Sequence, residues 1–277
     1  MAETVAAGVE RIREAFEGAR QEGRAALMPY MMGGFSNHET SLAVADAYAD
    51  AGADLVELGV PFSDPLADGP VIHTAGTRAL AAGATLQSVL EICEHLAKRL
   101  PVVPMIYANM ALAKRAESFA RMLADAGAAG AIIPDLPLGE EDSLGNALRS
   151  AGLAPVPLVA PTTSPARRRR ICEGAKGFVY VVSDTRVTGE RDELPAGLQD
   201  LVREVREDAP GPVAVGFGIG TPEQAAAVGE IADGVIVGSR LVRAVAESDG
   251  ATAAADAVGA FIRDARAAMA NAGGPVG

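Results

Sequence analysis

Eight short apolar runs separated by amphipathic helical stretches predict an α/β protein, a (β/α)8 TIM barrel. The runs recur about every 25 to 35 residues. Several are apolar at successive rather than alternate positions, the pattern of parallel strands covered on both faces. No Gly-x-Gly-x-x-Gly turn follows the first run, which weighs against an open doubly wound sheet.

In chain order the expected strands are Ala25–Met32, Asp54–Leu58, Val102–Tyr107, Ala131–Pro134, Val156–Ala160, Phe178–Ser183, Val213–Gly218 and Gly234–Gly238. The helices between them are marked by their ends. Ser36-Asn37-His38-Glu39 opens one that closes at Ala51-Gly52-Ala53, and Ala84-Thr85-Leu86-Gln87 opens another. A third runs from Lys114 to Ala126 and stops at Gly127. At Thr221-Pro222-Glu223 a threonine takes the N-cap and a proline the first helical position. The phrases Asp50-Ala-Gly-Ala-Asp54 and Asp125-Ala-Gly-Ala-Ala129 repeat one helix–Gly–strand junction. An extra helix, roughly Val5 to Glu22, precedes the first strand and is expected to cover the barrel's bottom or flank. With no Pro/Ser-rich linker, the chain reads as a single domain over residues 1–277.

The composition is that of a globular protein with a large aliphatic core: 49% apolar, 22% charged, 4% aromatic and no Trp. The 24 basic and 36 acidic residues give a net charge of −12, which argues against nonspecific binding to nucleic acid or anionic membranes. It leaves room for an anionic small substrate held locally by backbone N–H groups. No run reaches the ~20 apolar residues of a membrane span and no signal peptide is visible, so a cytoplasmic location is expected. Cys93 and Cys172 then read as small buried hydrophobes rather than a disulfide.

In a (β/α)8 barrel the chemistry lies at the C-terminal ends of the strands. That rule selects Glu57, then Asp64 and Asp68 in the next loop, Tyr107 and Asn109, Asp135, and Tyr180 with Ser183. Glycines follow strands seven and eight, in Gly216-Phe-Gly-Ile-Gly220 and Gly238-Ser239. Together these two loops point to a phosphate held on backbone N–H groups and a helix N-terminus. A Glu on an apolar strand costs several kcal/mol to bury as an anion, so Glu57 should keep its proton toward neutral pH. Asp68, in a loop, is expected to stay ionised, and Asp64 reads as a turn residue. An acid and a base on opposite sides of one pocket suit cleavage of a carbon–carbon or carbon–oxygen bond. His38, His73 and His95 show no metal-ligand spacing. Arg167-Arg-Arg-Arg170 reads as a solvated helix face.

The run Glu57-Leu-Gly-Val-Pro-Phe-Ser-Asp-Pro-Leu-Ala-Asp-Gly-Pro70 resembles the signature of the tryptophan synthase alpha subunit family. The resemblance continues in order through Tyr107-Ala-Asn109, Pro134-Asp-Leu-Pro137, Tyr180-Val-Val-Ser183, Val187-Thr-Gly189, Gly216-Phe-Gly-Ile-Gly220 and Gly238-Ser239. It implies retro-aldol cleavage of indole-3-glycerol phosphate to indole and glyceraldehyde 3-phosphate, with no cofactor or metal in this chain. Glu57 matches the family's acid/base and Asp68 the carboxylate facing the indole nitrogen, with Tyr180 beside the Glu. Tyr30, Ile72, Met105, Tyr107, Ile132 and Phe217 match the indole pocket. Gly189, Gly218, Gly238 and Ser239 match the phosphate site, and Thr188 the closing loop. The family works as an αββα complex with a pyridoxal-phosphate beta subunit that receives indole through a tunnel. Pro61, Asp64, Asn109 and the Asp184–Pro195 loop match its contact surface. The chain departs from the family at Thr185 and Arg186, where a glycine is usual, and in Tyr30-Met-Met-Gly-Gly-Phe-Ser36, which lacks the usual Thr and Gly-Asp-Pro. The rival readings are a stand-alone indole-3-glycerol-phosphate lyase, a sugar-phosphate isomerase or epimerase, and a non-catalytic barrel that only activates a partner.

Overall fold

A computed structural model describes residues 7–136, 142–182, 194–216 and 218–274. Its strands are β1 (Ala26–Met32), β2 (Val56–Gly59), β3 (Val102–Met105), β4 (Gly130–Ile132), β5 (Ala154–Val156), β6 (Leu158–Val159), β7 (Val179–Val182), β8 (Val213–Gly216) and β9 (Gly234–Val237). All pairings are parallel, in the order β5-β4-β3-β2-β1-β9-β8-β7-β6. The two ends of that order, β5 and β6, are consecutive in the chain and are joined through Pro157. The ring is thus the expected eight-position barrel, with the fifth strand in two pieces. Pro157 has no N–H to give to a ladder, so the strand breaks there. Its first half pairs with β4 and its second with β7, and the Pro157 carbonyl still accepts from the Tyr180 N–H at 2.9 Å.

The helices wrap this ring. They are α1 (Ala7–Gln21), α2 (His38–Asp50), α3 (Pro70–Ala81), α4 (Leu86–Ala97), α5 (Ala108–Leu112) and α6 (Ala116–Asp125) in the first half. The second half has α7 (Asp142–Ser150), α8 (Pro165–Glu173), α9 (Leu198–Asp208), α10 (Pro222–Gly229), α11 (Ser239–Ala246) and α12 (Gly250–Ala272). Two helices, rather than one, follow each of β2, β3 and β9. The expected caps are present: Asn37 accepts from the Thr40 N–H, and Thr85 and Thr221 form reciprocal capping boxes with Ser88 and Gln224. Both repeated junctions stop their helices the same way, with Gly52 at φ 87° and Gly127 at φ 76° just past the C-cap, a conformation only glycine takes freely.

Helix α1 closes the bottom. Its buried residues Gly8, Ile12, Phe16 and Ala19 form one stripe at helical spacing. Ile12 and Phe16 pack with Ala26, Met28, Leu55, Val103, Phe178 and Ala214 inside the ring. The Phe16 and Phe178 rings lie 5.6 Å apart, and Phe16 occupies the space a Cβ on Gly234 would need. Arg11 ties the helix down by donating to the carbonyls of Ala97, Leu100 and Gly127 at 2.6, 2.7 and 3.0 Å. At the same end Arg24, buried, donates to both Asp54 oxygens at 2.6 and 2.8 Å, and Asp54 also accepts from the Leu27 N–H at 2.7 Å. The C-terminal ends of the strands lie at the opposite mouth, where barrels of this kind hold their ligands.

The arginine run departs from its reading as a solvated face. Arg168 is buried in α8 and pairs with Glu204 and Asp208 of α9, so one of the four clamps two helices together. Cys93 and Cys172 are both buried and unbridged. Among the described residues no helix is long and apolar enough to cross a membrane.

Truncating the plug tests its role. Phe16→Ala should cost about 3–5 kcal/mol in urea unfolding, because the ring fills the barrel floor against Phe178. A loss under about 1 kcal/mol would show that α1 merely lies against the barrel.

Candidate active site

Strand alternation decides which side chains face into the barrel. In β2 the inward positions include Glu57 and Gly59, and the register sets Glu57 beside Tyr30 of β1 and Val103 of β3. Glu57 is 1% exposed, and its Oε2 has no hydrogen-bond partner. Burial, with the Asp68 charge as a second cause, raises its pKa from the ordinary 4.5 to about 8.

Asp68 reaches the same space from the loop before α3. Its Oδ1 accepts from the Tyr107 hydroxyl at 2.8 Å, and that hydroxyl also accepts from the Ala67 N–H at 3.1 Å. The Phe62 ring stacks on Tyr107 at 5.3 Å between centroids. Tyr107 thus holds the whole Asp68 loop, a role that the sequence did not suggest. Burial raises the Asp68 pKa as well, while the Tyr107 hydrogen bond and nearby His73 pull it back. Asp68 is accordingly a half-buried, clamped carboxylate rather than a free loop residue.

Two tyrosines close around the carboxylates. Tyr30 is 5% exposed, and its hydroxyl lies where a Cβ on Gly59 would stand. Tyr180 of β7 is partly buried and stands in the same relation to Gly216 of β8. Both glycines are the last residues of their strands, and the missing side chain marks a close approach. That rule could have found them from sequence. Burial first, then the charges of Asp68 and Glu57 for Tyr30 and of Glu57 for Tyr180, raise the pKa of both phenols, so these groups lie near one another. Ile72 of α3 and Ile132 of β4 are buried, and Met105 of β3 is partly exposed. Asp135 is structural: it accepts from the Ala108 N–H at 2.7 Å and so caps α5.

The glycine loops are not equivalent. After β8, the Gly220 and Thr221 N–H groups already donate to Gln224 Oε1, at 2.7 and 3.2 Å. After β9, Gly238 is the N-cap of α11 and supplies no side-chain cap. The first-turn N–H groups at Ser239 and Arg240 lack an intrahelical acceptor, as at any helix start. Gly218 is partly exposed and Ser239 is buried. Phe217, Thr188, Gly189 and Ser183 lie outside the described residues. Asp64 and Asn109 are exposed and Pro61 is buried. Among the described residues there is no group of three or more His, Cys, Asp or Glu suited to a metal.

A parallel eight-position barrel with a proton-retaining carboxyl and a second carboxylate at its strand ends belongs to the (β/α)8 enzymes that work by acid/base chemistry. Comparison with known proteins narrows the class. The profile described as Tryptophan synthase alpha chain matches residues 16–270. The tryptophan synthase alpha chain of Thermosynechococcus vestitus is 43% identical over 264 residues, 94% of this chain and 98% of that one. That of Carboxydothermus hydrogenoformans is 47% identical over 239 residues, covering 86% and 90%. The structure of Mycobacterium tuberculosis tryptophan synthase superposes with a TM-score of 0.86 at 35% identity, over 94% of this chain and 98% of that one. The chain belongs to the tryptophan synthase alpha chain family, lyases that cleave indole-3-glycerol phosphate.

The buried carboxyl leaves a signature in stability. The folded pKa of Glu57 lies above its unfolded value, so the folded state retains a proton that the unfolded state releases between about pH 4.5 and 8. Stability from this group is complete below that window and is lost as the pH rises through it. Glu57→Gln, neutral at every pH, should therefore match the parent near pH 4 and exceed it at pH 9 by about 2 kcal/mol or more. Parallel denaturation curves across that range would contradict the raised pKa.

Proposed function

We propose that Glu57 and Asp68 divide the proton work of indole-3-glycerol phosphate cleavage between them. The observation that carries this is the buried Glu57 carboxyl, its Oε2 unpartnered and its pKa raised to about 8, with the clamped Asp68 near enough to contribute to that rise. Cleavage of the bond between indole C3 and the glycerol side chain needs a proton delivered to C3 and one removed from the side-chain hydroxyl. Glu57 suits both: it is protonated near neutral pH and becomes a base once its proton is given. As C3 takes that proton, positive charge develops at the ring nitrogen. Asp68 accepts the N–H hydrogen bond there and stabilises the charge. When the carbon–carbon bond breaks, its electrons form the C2–C3 double bond and discharge the ring nitrogen, the deprotonated hydroxyl carbon becomes the aldehyde of glyceraldehyde 3-phosphate, and the delivered proton stays as the C3–H of aromatic indole.

Tyr30, Ile72, Met105, Tyr107, Ile132, Phe217 and Tyr180 would line the indole end, a planar apolar slot with few polar atoms. The phosphate would rest on N–H groups at Gly218, Gly238, Ser239 and Gly189. The open first turn of α11 favours an anion, whereas the Gln224-capped start of α10 is already occupied. Thr188 belongs to the closing loop in this reading.

Relatives named as tryptophan synthase alpha chains imply a beta partner, and we propose the same αββα assembly here, in the cytoplasm. Its surface on this chain would take in Asp64, Asn109 and the Asp184–Pro195 loop. Leu66 and Leu112, 80% and 56% exposed, lie beside Asp64 and Asn109 in the sequence and supply apolar area for such a contact. Pro61 is buried in the isolated chain and contributes by shaping that loop. The beta subunit carries the pyridoxal phosphate and takes the indole onward to tryptophan.

Glu57→Gln and Asp68→Asn should each lower kcat for indole-3-glycerol phosphate by roughly 10²–10⁴-fold, with the fold and glycerol 3-phosphate binding retained. Activity within threefold of the parent in either variant would reject the assigned roles. The unaltered chain alone should be a weak lyase accelerated by a beta subunit. High turnover without that partner would favour the stand-alone lyase instead.

A further inference from the structure

Tyr30 has more chemistry than a pocket wall needs. It sits directly across from Glu57 in the β1–β2 register, buried at 5% exposure. Its ring runs toward the mouth, so that the hydroxyl lies over Gly59, the next inward position beyond Glu57 on the same strand. The space exists only because residue 59 lacks a side chain. At that place the one partner of the hydroxyl among the described residues is the Met32 thioether, at 4.0 Å. A thioether is a weak acceptor, and buried hydroxyls in proteins are nearly always better satisfied. The neighbouring strand holds the complementary deficit, Glu57 Oε2, buried with no partner at all.

We propose that Tyr30 is a positioning residue for the lyase reaction, its hydroxyl donating to the Glu57 carboxylate whenever Glu57 is ionised. This rests on Glu57 being the proton carrier. The titratable groups near Glu57 are Tyr30 from β1, Asp68 from the loop after β2 and Tyr180 from β7, with Tyr107 behind Asp68. Asp68 is an acceptor that repels the ionised Glu57, and the Tyr107 hydroxyl is committed to Asp68. Tyr180 leans over Gly216 on the far side of the ring. Tyr30 is the phenol set in register with the carboxyl. Burial and the two acidic charges keep the Tyr30 phenol protonated, so it gives a hydrogen bond and not a proton. The bond would form as Glu57 delivers its proton to indole C3 and would steady the carboxylate while it faces the side-chain hydroxyl.

The test is Tyr30→Phe, an isosteric change that removes only the hydroxyl, with Tyr180→Phe and Glu57→Gln in parallel. Cleavage of indole-3-glycerol phosphate is followed from pH 5 to 10. Tyr30→Phe should lower kcat about tenfold and leave KM within twofold. A lost donor no longer favours the carboxylate, so the apparent pKa assigned to Glu57 should rise by about half a unit to one unit. An unchanged pH profile with kcat within twofold of the parent would overturn the proposal. So would a higher KM at constant kcat, which is the behaviour of a plain indole wall. If Glu57→Gln is inactive while Tyr30→Phe behaves as the parent, only this inference fails. If Glu57→Gln stays active, the acid/base assignment fails and takes this inference with it.

Discussion

A carboxyl buried on the inner face of β2 is the constraint around which the mouth of this barrel is arranged. Glu57 is 1% exposed, with one oxygen unpartnered. Ionising it in that setting is costly, so the group keeps its proton into the neutral range. The surroundings maintain this condition. Tyr30 and Tyr180 lie near Glu57, and Gly59 and Gly216 give their rings room. Tyr107 anchors Asp68 close enough to oppose the Glu57 charge. At the other end Ile12 and Phe16 of α1 pack inside the ring, and the Arg24–Asp54 pair fixes the starts of β1 and β2 against each other.

The cost of this arrangement is local. The barrel floor is packed with aliphatic and aromatic side chains, whereas the mouth leaves a carboxyl oxygen and a phenol short of partners. A folded state that tolerates such deficits carries them because the rest of the ring is over-determined. The glycine loops divide in the same manner. Gln224 satisfies the start of α10, while the start of α11 lacks a side-chain cap.

Most of the ring could be read from the chain because each strand is a continuous apolar run bounded by turn residues. The fifth strand could not. Val156–Ala160 is apolar throughout, and only the ladder shows that Pro157 divides it between two neighbours. Glu57 was legible as a carboxylate in an apolar run, and Asp68 through its motif. The Tyr107 clamp was not, because it joins residues 39 positions apart. Periodicity alone does not say which arginine of Arg167–Arg170 meets α9, and the choice of Arg168 follows from packing. Gly59 and Gly216 were readable in principle as glycines at inward strand positions.

The central claim is the charge state of one group, and it can be observed directly. Carboxyl-carbon NMR of the glutamate-labelled chain, titrated from pH 3 to 10, should show one glutamate resonance moving near pH 8 and missing from Glu57→Gln. If every glutamate titrated between about pH 3.5 and 5.5, the buried carboxyl would be an ordinary anion and the account of the site would be wrong.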